Sequence, residues 1–140
     1  MIEINEKMKI GIKSFIVLLI LFSVVSCKKK AGEGGKASIY GKLWVQDWNG
    51  SFTVLNGEYA GTDVDVYIIY GDDVNYGDKV SANYKGEFEF KFLRKGKYTV
   101  YTYSKFRTIP SPGGDSAIVK TVEIKDKKEK VDLGTLTIFD

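Results

Sequence analysis

Between Ala37 and Asp140 the apolar residues recur at every second position or in short β-branched runs, and no window carries an apolar stripe at helical spacing. Phe88, Phe90 and Phe92 alternate with Glu87, Glu89 and Lys91, which predicts a strand with one buried and one wetted face. Val64-Asp65-Val66-Tyr67-Ile68-Ile69-Tyr70 and Tyr98-Thr99-Val100-Tyr101-Thr102-Tyr103 are dense in residues that suit a pleated, half-buried surface. Further strands are expected through Ile39, Leu43, Trp44 and Val45, and over Lys79 to Asn83, Ile118 to Ile124 and Val131 to Ile138. Gly50, Asn56-Gly57, Gly71-Asp72, Lys85-Gly86, Lys95-Gly96 and Pro112-Gly113-Gly114 punctuate them as turns. About seven short strands at this spacing predict an all-β sandwich.

The chain ahead of these strands has a different character. Lys7, Lys9 and Lys13 precede an apolar run from Phe15 to Val25, the pattern of a signal peptide. A bilayer-spanning helix needs about 20 apolar residues, so this run is too short for a comfortable span. Val24-Val25-Ser26-Cys27 resembles the lipobox of bacterial lipoproteins, which implies removal of residues 1–26 and acylation of Cys27. Cys27 is the chain's one cysteine, and a lone free thiol in an oxidising compartment would otherwise be a liability. Glu3 and Glu6 are unusual in a basic leader, and Met8 is an alternative start. Residues 27–36, with Lys28-Lys29-Lys30 followed by Gly32, Glu33, Gly34, Gly35 and Lys36, are expected to be a flexible basic tether, leaving 37–140 as the folded domain.

Charge follows the same division. The chain holds 21 basic and 18 acidic residues, yet from Ala37 onward there are 14 basic and 15 acidic. A near-neutral domain lacks the basic face that nucleic acid requires. The tether lysines fit anionic lipid headgroups instead.

Within the domain, Gly41-Lys42-Leu43-Trp44-Val45, Val64-Asp65-Val66-Tyr67, Asn83-Tyr84-Lys85-Gly86-Glu87-Phe88-Glu89-Phe90 and Leu93-Arg94-Lys95-Gly96-Lys97-Tyr98-Thr99-Val100 follow one another. This order resembles the carboxypeptidase regulatory-like domain, a transthyretin-like (prealbumin-like) β-sandwich. Asn83 stands where that family commonly has Asp, and the resemblance covers residues 38–104 well and 117–138 by strand character alone. It implies the fold and says almost nothing of activity. On physical grounds Gly86 should supply a positive φ in a tight turn, Asn83 should hydrogen-bond that turn's backbone, and Tyr98 should be buried with its hydroxyl near an edge.

Catalytic constellations are hard to build from these residues. The sequence has no histidine, the commonest general base and zinc ligand, and acylation would consume the thiol. No catalytic residue, cofactor or enzymatic activity is therefore expected. Glu87 and Glu89 share a strand face as paired carboxylates can in glycosidases, but the wetted side of a strand accounts for them. Asp63, Asp65, Asp72, Asp73 and Asp78 offer hard oxygen ligands for calcium, although their spacing matches no calcium-loop pattern and edge charges explain them better.

Two places could hold a partner. If Val64, Val66, Tyr98 and Val100 point inward, then Tyr67, Tyr101 and Tyr103 share an exposed face, provided their strands lie in one sheet. That face would bind a glycan or protein, or simply cover the sheet beneath the segment from Thr53 to Gly61. The stretch "KFRTIPSPGGDS", Lys105 to Ser116, is the other: Phe106, Arg107 and Ile109 are anchor-type residues at an interaction loop, or Ile109 is buried in a connector crossing between sheets. The expectation is a lipid-anchored protein of the cell envelope, held at the outer membrane through Cys27, whose non-catalytic sandwich binds an envelope protein or glycan or serves as a structural accessory. A carbohydrate-binding module using the tyrosine face is the alternative.

Overall fold

The β-rich pattern resolves into eight strands in a computed structural model that describes residues 29–105 and 115–140. They are β1 (Glu33–Trp48), β2 (Leu55–Ala60), β3 (Asp65–Tyr70), β4 (Asp78–Ser81), β5 (Glu87–Leu93), β6 (Gly96–Lys105), β7 (Asp115–Ile124) and β8 (Lys130–Phe139). In the first sheet β1 is central. It pairs in parallel with β8 along one side and antiparallel with β5 and then β2 along the other. The second sheet is antiparallel in the order β4-β3-β6-β7.

Period-two burial builds the core between them. Ile39, Leu43 and Val45 of β1 meet Phe88 and Phe90 of β5 and Leu136 of β8, facing Val66, Ile68, Tyr98, Val100 and Ile124 of the second sheet, all buried. Fully burying such a side chain contributes about 1.5–3 kcal/mol each before conformational entropy is charged. Among the described residues the buried apolar side chains run from Ala37 to Ile138 and draw on both sheets.

The β4–β5 turn forms as its residues demand. Asn83 Oδ1 accepts from the backbone N–H of Lys85 at 2.9 Å and of Glu87 at 3.0 Å, and Gly86 has φ 77°. A Cβ on Gly86 would collide with the Leu43 carbonyl, whose own N–H donates to the Gly86 carbonyl at 2.7 Å.

Four expectations need correcting. Segment 53–61, expected as an insertion with a turn at Asn56-Gly57, contains β2, and Gly57 pairs with Asp47. β2 escaped notice because none of its residues is fully buried, so it carries no apolar period. Phe92 does not continue the inward series: it is 69% exposed, while Leu93 is buried. Ala37 and Ile39 pair with Leu93 and Phe90, so Lys91 and Phe92 together oppose Ser38, a bulge in which Phe92 takes φ 59°. The basic tether also ends sooner than residue 36, since β1 begins at Glu33 and Gly32 is already buried. Finally, β6 and β7 are antiparallel neighbours from Gly96 opposite Ile124 to Lys105 opposite Asp115. The chain between them joins two strands of one sheet and is no crossover; Phe106, Arg107 and Ile109 lie outside the described residues.

Candidate functional site: the tyrosine face of the second sheet

Register alone sets the outward face of the second sheet. Lys79, Tyr67, Tyr101 and Val119 stand abreast across β4, β3, β6 and β7. Two positions along, Ser81 faces Asp65 and Tyr103 faces Ala117. Because side chains alternate across a strand, these residues share the face opposite Val66, Ile68 and Val100.

The three expected tyrosines come together on it. Tyr67 and Tyr101 stack with centroids 5.1 Å apart and planes 13° from parallel. Tyr103 meets both edge-on, at 5.8 Å from each. A fourth ring, Tyr76 in the β3–β4 turn, packs edge-on against Tyr67 at 5.1 Å. Each such pair contributes about 0.5–1.5 kcal/mol beyond its area, so the cluster is pre-organised. Tyr76 and Tyr103 are each 52% exposed, and Tyr67 and Tyr101 are half-buried between them. Burial, then the neighbouring Tyr103, pushes the Tyr101 hydroxyl above its ordinary pKa, keeping it neutral and able to donate.

A polar margin adjoins the rings. Lys79 Nζ lies 2.8 Å from Asp65 Oδ2, and Ser81 Oγ donates to Asp65 Oδ1 at 2.7 Å. The hydrogen bond from Lys79, then that from Ser81, holds the Asp65 carboxyl below its usual value. Lys79, Ser81 and Tyr76 were not singled out in the sequence. The outward phase of Lys79 to Ser81 would have revealed the first two; Tyr76 gave no periodic signal because it sits in a turn.

Other candidates are dispersed. Asp65 is engaged by Lys79 and Ser81, Asp63 is exposed at φ 58°, and Asp72 and Asp73 occupy the turn after Tyr70. Among the described residues no three acidic, histidine or cysteine side chains converge as metal ligands. Glu87 receives a hydrogen bond from Asn83 Nδ2 at 3.1 Å, and Glu89 sits 3.6 Å from Lys91 Nζ. Cys27 lies outside the described residues, among which no helix is long and apolar enough to cross a membrane. Segment 53–61 does not cover the tyrosines, since β2 pairs with β1 in the opposite sheet.

No protein-family model matches the chain, and no curated protein matches it in sequence. Among solved structures, a Pseudomonas aeruginosa protein described as a "putative carbohydrate binding protein" aligns over 79% of this chain and 92% of its own, at 13% identity and a TM-score of 0.45. (S)-Allantoin synthase aligns over 77% of this chain and 43% of its own, at 10% identity and a TM-score of 0.40. A 9R-lipoxygenase from Cyanothece aligns over 91% of this chain and 22% of its own, at 17% identity and a TM-score of 0.35. What the chain itself displays is an eight-stranded β-sandwich with an aromatic platform on one sheet, and the question of ligand rests on that platform's geometry.

Proposed function

We propose that the protein is a lipid-anchored, non-catalytic binding module of the cell envelope, built on a sandwich of the carboxypeptidase regulatory-like kind and taking its ligand on the tyrosine face. The observation that carries this reading is the cluster of Tyr67, Tyr76, Tyr101 and Tyr103, whose rings lie 5.1–5.8 Å apart on an outward sheet face. An exposed aromatic cluster in a near-neutral domain suits a ligand with apolar faces and many hydroxyls. A glycan fits that description: its C–H faces stack on the rings, while the tyrosine hydroxyls and the Lys79–Asp65–Ser81 margin exchange hydrogen bonds with its hydroxyls. Anchoring follows from the lipobox-like Val24-Val25-Ser26-Cys27, because acylation at Cys27 would hold the sandwich at a membrane.

Two measurements test the two halves. Metabolic labelling with a palmitate analogue should mark the wild-type protein and not Cys27→Ala; an unmarked wild type contradicts the anchor. A glycan array probed with the chain from residue 27 onward should give discrete hits that the doubly substituted Tyr101→Ala, Tyr103→Ala domain loses. Hits that survive the double substitution remove the tyrosine face from the account.

A further inference from the structure

A second surface lies at the end of the sandwich where the chain enters it. An open groove of about 830 Å³ there is lined by Lys29, Lys36, Arg94, Lys95, Lys127 and Lys128, together with Gly34, Gly35 and Leu93. The lining holds six basic side chains and no carboxylate. Four of the six, Arg94, Lys95, Lys127 and Lys128, belong to the stretch from Ala37 onward, where 14 basic groups stand against 15 acidic ones, so the groove departs from that near-neutral balance. None of the six takes part in the ion pairs of the described residues, which join Lys79 to Asp65, Lys91 to Glu89 and Lys105 to Asp140. Asp72 and Asp73, in a turn at the same end, do not contribute to the groove.

Beside the groove, the β5 bulge holds Phe92 outward. A non-glycine residue at φ 59° costs about 1–2 kcal/mol, and here that cost accompanies an aromatic ring left 69% exposed. Phe92 immediately precedes Leu93 and Arg94 of the groove. A basic groove with an exposed aromatic on the residue next to its lining offers the two chemistries of an interfacial membrane contact, charge and an apolar ring.

Chain length brings this end to the bilayer. The Gly32 N–H donates to the Tyr98 hydroxyl at 2.9 Å, and the Arg94 N–H donates to the Gly32 carbonyl at 2.8 Å, so Gly32 is fixed to the sandwich. From Cys27 to Gly32 five residues can span at most about 18 Å. Building on the lipid-anchored reading above, we propose that the groove end with Phe92 docks on an anionic phospholipid surface, fixing the sandwich's orientation relative to the membrane. Held that way, the domain has two contacts with the bilayer, the acyl chains and the basic end.

The test uses the chain from residue 27 onward with Cys27→Ser, which retains all the buried apolar side chains of the described residues and carries no lipid, so its result does not depend on whether Cys27 is acylated. Cosedimentation with vesicles of phosphatidylcholine and phosphatidylglycerol is compared with phosphatidylcholine alone. Binding is expected only to the anionic vesicles and should weaken as salt is raised. The triple variant Lys95→Glu, Lys127→Glu, Lys128→Glu should lose at least about tenfold in vesicle affinity, while Lys42→Glu, Lys85→Glu, Lys120→Glu, with the same charge change away from the groove, should lose far less. Phe92→Asn, which tolerates the positive φ, should weaken the binding that persists at high salt. Equal losses in the two triple variants, or no anionic preference at all, would overturn the docking surface. Failure of palmitate labelling with vesicle binding intact would instead overturn the anchor alone.

Discussion

Tyr98 and Gly32, sixty-six residues apart, are joined through one phenolic hydroxyl at the end of the sandwich. That hydroxyl accepts from the Gly32 N–H at 2.9 Å and donates to the Arg94 carbonyl at 2.7 Å, while the ring is completely buried. The entering chain is thus tied to β6 and to the β5–β6 turn by a single side chain. Gly96, at φ 146°, lets β6 begin directly against Ala31, because a Cβ there would stand 2.7 Å from the Ala31 Cβ.

Removing only the hydroxyl isolates that joint. Tyr98→Phe keeps the ring but leaves a buried donor and an acceptor unpaired, and should cost about 1–3 kcal/mol. Tyr98→Ala adds a cavity and should cost about 3–5 kcal/mol. Tyr101→Ala, which loses the stacked contact with Tyr67 on an open face, should cost about 1 kcal/mol. Urea titration of the three variants checks the order; Tyr101→Ala matching Tyr98→Ala would reverse the inward and outward assignment.

Phe92 should be replaceable with little loss of stability. Phe92→Gly relieves the positive φ while adding freedom to the unfolded chain, so the net change should fall within about 1 kcal/mol of zero. Phe92→Val, β-branched at the same backbone angle, should destabilise by more than Phe92→Gly. Thermal unfolding of the pair decides it, and equal melting would show that the bulge is not strained.

Acid should weaken the fold through exposed carboxyls held by specific partners. Asp65 is lowered by Lys79 and then Ser81, Asp140 by Lys105, and Glu129 by the backbone N–H groups of Asp126 and Lys125, each from ordinary values of 3.8, 3.8 and 4.5. Depressed folded values mean that their contribution is present above the ordinary pKa and is lost as pH falls through the folded one. Denaturant midpoints should therefore decline below about pH 4.5, and Asp65→Asn should flatten part of that decline. An unchanged acid limb in Asp65→Asn would deny the Lys79 pair a role.

The alkaline limb has the opposite sign. Burial, then the Glu33 carboxylate, pushes the Tyr70 hydroxyl up from 10.0 to about 12. A raised folded value leaves stability intact below pH 10 and removes it progressively as pH climbs toward about 12. Tyr70→Phe should make that slope shallower in pH-dependent unfolding, the remainder belonging to other hydroxyls that burial also pushes up, those of Tyr98 and Tyr101 among them; an unchanged slope would place its source elsewhere.

Strands with one dry face were readable because burial writes a period of two into the residues, as in Val64 to Tyr70 and in Glu87 to Phe90. Where that cause is missing, so is the signal. β2 pairs along the far half of β1 with neither face fully buried, and its Asn56-Gly57 reads locally as a turn. Phe92 keeps the sequence period but not the structural one, since the bulge opposite Ser38 inserts an extra residue that no local pattern announces. The tyrosine face was legible up to one condition, that β3 and β6 be neighbours. Tyr67 opposite Tyr101 meets it. The basic groove was not legible, because its residues come from the entering chain, the β5–β6 turn and the β7–β8 turn, which only the completed fold brings together.

If the tyrosine face carries the ligand as proposed, a photocrosslinking residue placed on it in living cells should capture that ligand. Benzoylphenylalanine at Tyr103, 52% exposed on the second sheet, is compared with the same residue at Tyr40, 37% exposed on β1 of the first. Irradiation should yield discrete higher-mass adducts from the Tyr103 position and none from Tyr40, with the Tyr103 adducts reduced when Tyr67→Ala is added. No adduct from Tyr103, or the same adducts from both positions, would contradict a binding role for this face.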